Sequence, residues 1–116
     1  MITDIYTKDQ IITGVAKYFD ITNDELLHGS QTREESKPRH IAMYYLRTNT
    51  NIIHEDILRM FGKRQRGTVI YAVRSVKGQA DVYPEYARML AEIKDSILGI
   101  KPEYDDIFMG NDFLTN

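Results

Sequence analysis

Cysteine is absent from all 116 residues, which removes disulfides, thiolate nucleophiles and cysteine-based zinc sites together and leaves packing as the source of stability. No apolar run approaches the length needed to cross a bilayer, and the first ten residues are polar and acidic where a secretion signal is basic and then apolar. The expectation is a cytoplasmic protein with no membrane contact. Histidine is sparse: His28, His40 and His54 lie twelve and fourteen residues apart on separate segments, with no His-x-x-x-His or comparable spacing, so no metal site is expected. The neighbouring acids Glu34-Glu35 and Asp105-Asp106 read as solvated loop surface rather than an acid/base pair. No serine or threonine sits in a recognisable elbow, and no glycine-rich loop ends in lysine, so neither nucleophilic catalysis nor a bound nucleotide is expected. Together these absences argue against an enzyme and against any cofactor. Internal repeats and low-complexity stretches are missing as well.

What remains is a chain of one-domain length with 42% hydrophobic and 28% charged residues, a balance that places it among folded globular proteins rather than disordered ones. The net charge of −2 conceals a segregation. Residues 31–78 hold ten cations, Arg33, Lys37, Arg39, Arg47, Arg59, Lys63, Arg64, Arg66, Arg74 and Lys77, against four acids, for a local charge of +6. The rest of the chain holds five cations and thirteen acids, for −8. A polyanion is drawn to the middle of such a chain and repelled from its ends.

Periodicity gives helices throughout. Residues 9–19 space Ile11, Val15 and Phe19 four apart, with Ile12 and Ala16 beside them, as an amphipathic helix does. Thr22-Asn23-Asp24-Glu25 has the hydroxyl and carboxylate of a capping box and predicts a short second helix through Leu26 and Leu27. Residues 29–35 lack apolar side chains and read as an exposed loop with Arg33 near its middle. Pro38 suits the first turn of a third helix, with Ile41, Ala42, Tyr45, Leu46 and Asn49 facing inward. Residues 51–61 form a short fourth helix that Gly62 stops. Helical spacing resumes over residues 65–77, with Val69, Val73 and Val76 inward and Arg66, Thr68, Tyr71 and Arg74 elsewhere. Two short helices about a glycine turn make a helix-turn-helix, here over residues 54–77. Pro84 opens a last helix whose Tyr86, Leu90, Ile93 and Ile97 form one stripe ending at Gly99, a buttress for the core. The fold class is therefore all-α, about six helices with a central helix-turn-helix in residues 1–99. Residues 100–116 form an acidic tail with scattered aromatics and little expected structure.

Two blocks carry a family resemblance. Lys37-Pro38-Arg39-His40-Ile41-Ala42-Met43 is similar to Arg-Pro-Arg-Gln-x-Ala-Met at the head of the long helix in the C-terminal DNA-binding domain of the DnaA replication initiators. At the same distance and without a gap, Phe61-Gly62-Lys63-Arg64-Gln65-Arg66-Gly67-Thr68-Val69-Ile70-Tyr71-Ala72 falls on that family's Phe-Gly-Gly-Arg-Asp-His-Thr-Thr-Val-x-His-Ala. The opening, Ala16-Lys17-Tyr18-Phe19, Ile21 and Asp24-Glu25-Leu26-Leu27, resembles the family's first helices, so the likeness covers most of residues 11–98. It implies a Trp-repressor-like arrangement, with the second helix of the motif in the major groove and the loop before Pro38 near the minor groove, where Arg33 aligns with the family's minor-groove arginine. The family's base-reading Asp-His-Thr is replaced by Gln65, Arg66 and Gly67. That departure separates the docking, which the resemblance implies, from the box that is read, which it does not carry over. The family's ATPase motor has no counterpart motif in these residues.

The residue types fit duplex recognition. Gln65, Arg66 and Gly67 open the reading helix, where arginine pairs bidentately with guanine, glutamine pairs with adenine, and glycine permits close backbone approach. Lys63, Arg64, Thr68, Tyr71 and Arg74 flank it within reach of phosphates, which fix register without carrying sequence. Lys37 and Arg39 stand beside the free amides that start the third helix, a second place for a backbone phosphate. Tyr44, Tyr45 and Tyr71 could stack on single-stranded bases, but aromatics at helical spacing more often pack into a core. The reading is a stand-alone, sequence-selective double-stranded DNA binder regulating replication or transcription. The competing reading is a non-enzymatic module that keeps the fold and binds a protein partner, which the lost base-reading triplet favours.

Overall fold

A computed structural model describes residues 6–28, 33–62 and 67–100, with side chains from Lys37 and Thr68 onward in the last two stretches. Six helices account for nearly all of them: α1 (Lys8–Tyr18), α2 (Asn23–His28), α3 (Arg33–Asn49), α4 (His54–Met60), α5 (Gly67–Val82) and α6 (Pro84–Leu98). There is no strand among the described residues, and none of the helices is long and apolar enough to cross a membrane. The fold is all-α and Trp-repressor-like in its helix-turn-helix packing.

The helix starts follow from local chemistry. At α1, the Thr7 hydroxyl accepts the Gln10 amide at 3.0 Å while the Gln10 side chain accepts the Thr7 amide, a capping box that pairs two otherwise orphaned donors. The same device starts α2, where Thr22 and Glu25 exchange bonds of 3.0 and 2.8 Å, as the Thr22-to-Glu25 spacing predicts. Helix α1 ends at Phe19 because Asp20 takes φ of 60°, which lets the Ile21 amide reach back to the Ala16 carbonyl at 3.0 Å. Pro84 opens α6 as expected, where its missing N–H costs nothing.

The third helix corrects the sequence reading. It begins at Arg33 rather than at Pro38, so Pro38 lies inside it and Arg33 heads a helix instead of sitting mid-loop. Residues 33–37 contain no glycine and mostly good helix formers. Six positions into the helix, the proline forfeits a single bond, the one its amide would make to the Glu34 carbonyl. Helix α5 likewise runs past Lys77 to Val82, through Gly78.

Helix α3 is the hub, packing on α1, α2, α4 and α5, while α6 closes over α1 and α5. Ile41, Ala42, Met43, Tyr45 and Leu46 of α3 are buried with Ile11, Val15, Leu26, Ile57, Val69 and Val76. Asn49, expected inside, is only half-buried. The α6 stripe of Tyr86, Leu90, Ile93 and Ile97 is buried as its spacing predicts. Polar ties run through this core. The Tyr45 hydroxyl donates to the Leu90 carbonyl at 2.6 Å, and Gln10, 7% exposed, donates to the carbonyls of Ile97 and Ile100 at 3.2 and 2.9 Å. All three bonds reach carbonyls in or just beyond α6.

Helices α1 and α6 touch through Gly14, where a Cβ would stand 2.6 Å from Ile97 Cα, a separation no side chain tolerates. Gly14→Ala therefore forces the two helices apart and is expected to cost about 1–3 kcal/mol, read from urea midpoints. Gly78→Ala, in open space on an exposed stretch of α5, is expected to stabilise by up to about 1 kcal/mol through helix propensity. Equal effects from the two substitutions would contradict the packing described. Burial pushes the Tyr45 phenol above its ordinary value. The neutral phenol is thus the folded form, and its contribution is intact below the free-tyrosine value near 10 and lost as pH climbs beyond it. Tyr45→Phe should lower stability by about 1 kcal/mol near neutrality, with the gap to wild type narrowing in urea titrations above about pH 10.

Candidate nucleic-acid interface

The helix-turn-helix is built on one glycine. The amide of Phe61 bonds the Leu58 carbonyl and that of Gly62 the Arg59 carbonyl, each at 3.1 Å, and Gly62 then turns the chain at φ of 67°. Among the described residues no atom crowds Gly62, and its positive φ sets the requirement there. Helix α5 follows. Its 16 residues make a rod about 24 Å long, a length suited to lying along a groove.

One edge of the rod is anchored and the other is open. Val69, Ala72 and Val76 are fully buried, with Val73 half-buried beside them. Ala72 was not among the inward residues expected from sequence, although it shares the face of Val69 and Val76. On the opposite side Tyr71 is 62% exposed and Ile70 38%, with Arg74 and Lys77 also exposed and Thr68 half-exposed. The Tyr71 ring packs edge-on to His40 of α3 at 5.6 Å. The two sequence blocks, one within α3 and one opening α5, therefore meet in space.

The remaining expected contacts divide three ways. Lys37 is exposed, its ammonium 5.7 Å from the Tyr86 ring centre. Arg39 is only 3% exposed, so the side chain expected at a surface phosphate is packed into the protein instead. The reason is the early start of α3: Arg39 stands well inside the helix, among the buried Pro38, Ile41 and Ala42, and not at its first turn. Lys63, Arg64, Gln65 and Arg66 lie outside the described residues, as does the side chain of Arg33; the backbones of Arg33 and Gly67 open α3 and α5.

A feature that sequence reasoning missed lies beside the open edge. Between α3, α4 and α5 runs a groove of about 380 Å³ lined by Arg47, Thr48, His54, Ile70, Val73, Arg74 and Lys77. Across it Arg47 Nε donates to His54 Nε2 at 3.0 Å. The only prior sign of it was Arg47 recurring seven residues after His40, on the outer side of α3. Among the described residues no cluster of histidine and carboxylate side chains is arranged to hold a metal ion.

Comparison with known proteins agrees with this geometry. Residues 8–76, more than half the chain, match the family described as bacterial dnaA protein helix-turn-helix. The chain belongs to that family. Its DnaA-type helices also align with proteins named chromosomal replication initiator protein DnaA. The one from Bacteroides fragilis is 35% identical over 80 residues, covering 69% of this chain and 17% of the relative. That of Magnetococcus marinus is 35% identical over 91 residues, covering 78% and 20%, and that of Rhizobium meliloti 41% over 63 residues, covering 54% and 13%. This chain thus spans a fifth or less of those DnaA relatives. The matched DnaA segment is a helix-turn-helix, a binding module rather than a catalytic one.

Because Gly62 is held by its backbone angle alone, Gly62→Ala should destabilise the domain by about 1–2 kcal/mol in thermal or urea unfolding, and Gly62→Asn by less. Wild-type stability in the alanine variant would mean the turn between α4 and α5 is made differently.

Proposed function

We infer that this DnaA-type domain binds duplex DNA sequence-selectively, as a regulator of replication or transcription, with α5 entering the major groove. The observation that carries the reading is the two-sided character of α5: an apolar edge fixed on α3, and an open edge offering Tyr71, Arg74 and Lys77 just behind a glycine turn. A helix-turn-helix docks with the first residues of its second helix at base edges, and here Gln65, Arg66 and Gly67 occupy those places in the sequence. Arginine and glutamine are the residues that pair bidentately with guanine and adenine. Arg33, Lys37, Lys63, Arg64, Thr68, Tyr71 and Arg74 supply the surrounding backbone contacts. Arg33 is assigned to the minor groove, at the head of α3. The basic run of residues 31–78 supports the assignment, since phosphate contacts dominate affinity. Arg39, buried within α3, contributes packing rather than a surface contact.

The replacement of the family's Asp-His-Thr predicts that the preferred site differs from the one those three residues read. Selection from a random duplex pool tests this directly, and a single enriched motif is the expected result. On that duplex, Arg66→Ala should cut the preference over a scrambled duplex by about 5- to 150-fold, the worth of one bidentate base contact. Arg74→Ala should weaken both duplexes by a similar factor. Absence of any retained duplex, together with capture of a protein that survives nuclease treatment, would replace this reading with that of a protein-interaction module.

A further inference from the structure

The groove between α3, α4 and α5 carries a charge pattern that the reading helix does not account for. Four of its walls are Arg47 of α3, His54 of α4, and Arg74 and Lys77 of α5, and none of the described lining residues is acidic. The acids nearest in sequence, Glu55 and Asp56, follow His54 on α4 and are exposed, and Asp56 is engaged by Arg59 at 2.7 Å. From α1, Lys8 borders a separate hollow with Asp56 and Arg59. The groups facing His54 across the groove, from both helices packed on α4, are therefore positive.

Within this setting the Arg47–His54 bond is informative. Arg47 Nε donates to His54 Nε2, an arrangement that uses the lone pair of that nitrogen. The bond uses the Nε–H and leaves the forked terminal nitrogens as the part of the guanidinium that suits phosphate oxygens. A proton on Nε2 would turn the acceptor into a donor, end the bond, and place a fourth positive charge in the groove. With an anion, both groups gain the same partner.

We propose that this groove holds a backbone phosphate diester of bound DNA, and that His54 positions Arg47 when neutral and joins it as a phosphate ligand when protonated. DNA binding then takes up a proton at His54 and strengthens as pH falls. This rests on the duplex-binding reading and extends it to residues away from the start of α5.

The test measures affinity of the full chain for a short duplex of random sequence between about pH 8 and about pH 6, the range in which imidazoles gain a proton. Wild type should tighten by about 3- to 10-fold, and the slope of log K against log salt should steepen by up to about 0.9, the increment for one more neutralised phosphate. His54→Gln keeps an acceptor for Arg47 but cannot charge, so it should match wild type at the upper pH and lose the tightening. His54→Ala should be weaker than His54→Gln already at the upper pH. His28→Gln, far along the chain on α2, should tighten as wild type does. A His54→Gln variant that tightens like wild type would overturn the role of His54. Lys77→Ala and Arg47→Ala variants that bind like wild type at every pH would overturn the site itself. If wild type retains no duplex, the duplex-binding reading and this proposal fall apart in separate ways: titration with inorganic phosphate, followed by amide and imidazole NMR shifts, must still perturb His54, Arg47 and Lys77, and unshifted signals there would dismiss the groove as an anion site.

Discussion

Helix α5 is held by one edge. Its Val69, Ala72 and Val76 are completely buried, and α3 is its principal support, while Ile70 and Tyr71 on the opposite edge are exposed. Everything else in the fold serves to make α3 a firm platform. Helices α1, α2 and α4 pack around it, and α6 clamps α1 and α5 from the far side. Were α5 covered on both edges it would be a core helix, and were α3 less enclosed the rod would have no fixed direction.

Firmness comes from close approach as much as from apolar area. Gly14 brings the backbones of α1 and α6 together, and the Ser96 hydroxyl then bonds the Gly14 carbonyl at 2.9 Å, a contact only such proximity permits. Gln10 begins as a helix-capping residue at one end of α1 and spends its amide on the end of α6. Tyr45 ties the middle of α3 to α6 in the same manner. These bonds join residues 45 to 90 positions apart, and a polar group buried with its partner resists displacement because losing the partner exposes an unpaired group to an apolar interior.

Local signals in the sequence were faithful where the physics is local. The Thr22-to-Glu25 box, the helix stop at Gly62, the opening of α6 at Pro84 and the stripe of Tyr86, Leu90, Ile93 and Ile97 all stand where spacing placed them. Pro38 misled, because a proline reads as a helix start although a helix with enough support tolerates one a turn and a half in. Arg39, read as a residue of the helix start, instead lies seven residues into α3 and is buried. Gly14, Gln10 and the Arg47–His54 pair were illegible for another reason: each acquires its role from a partner on a different helix, and neither composition nor periodicity encodes which helices meet. The charge segregation was legible. Its finer arrangement, a groove of cations with one ionisable ring among them, was not.

The central claim, that the open edge of α5 is the surface DNA takes, is tested most directly by following backbone amide signals of the labelled chain as a selected duplex is added. The largest changes should fall on Thr68, Ile70, Tyr71 and Arg74, with Glu92 and Asp95 on the outer side of α6 and Asp24 on α2 little affected. Changes concentrated on α2 and α6, with α5 unmoved, would contradict the account.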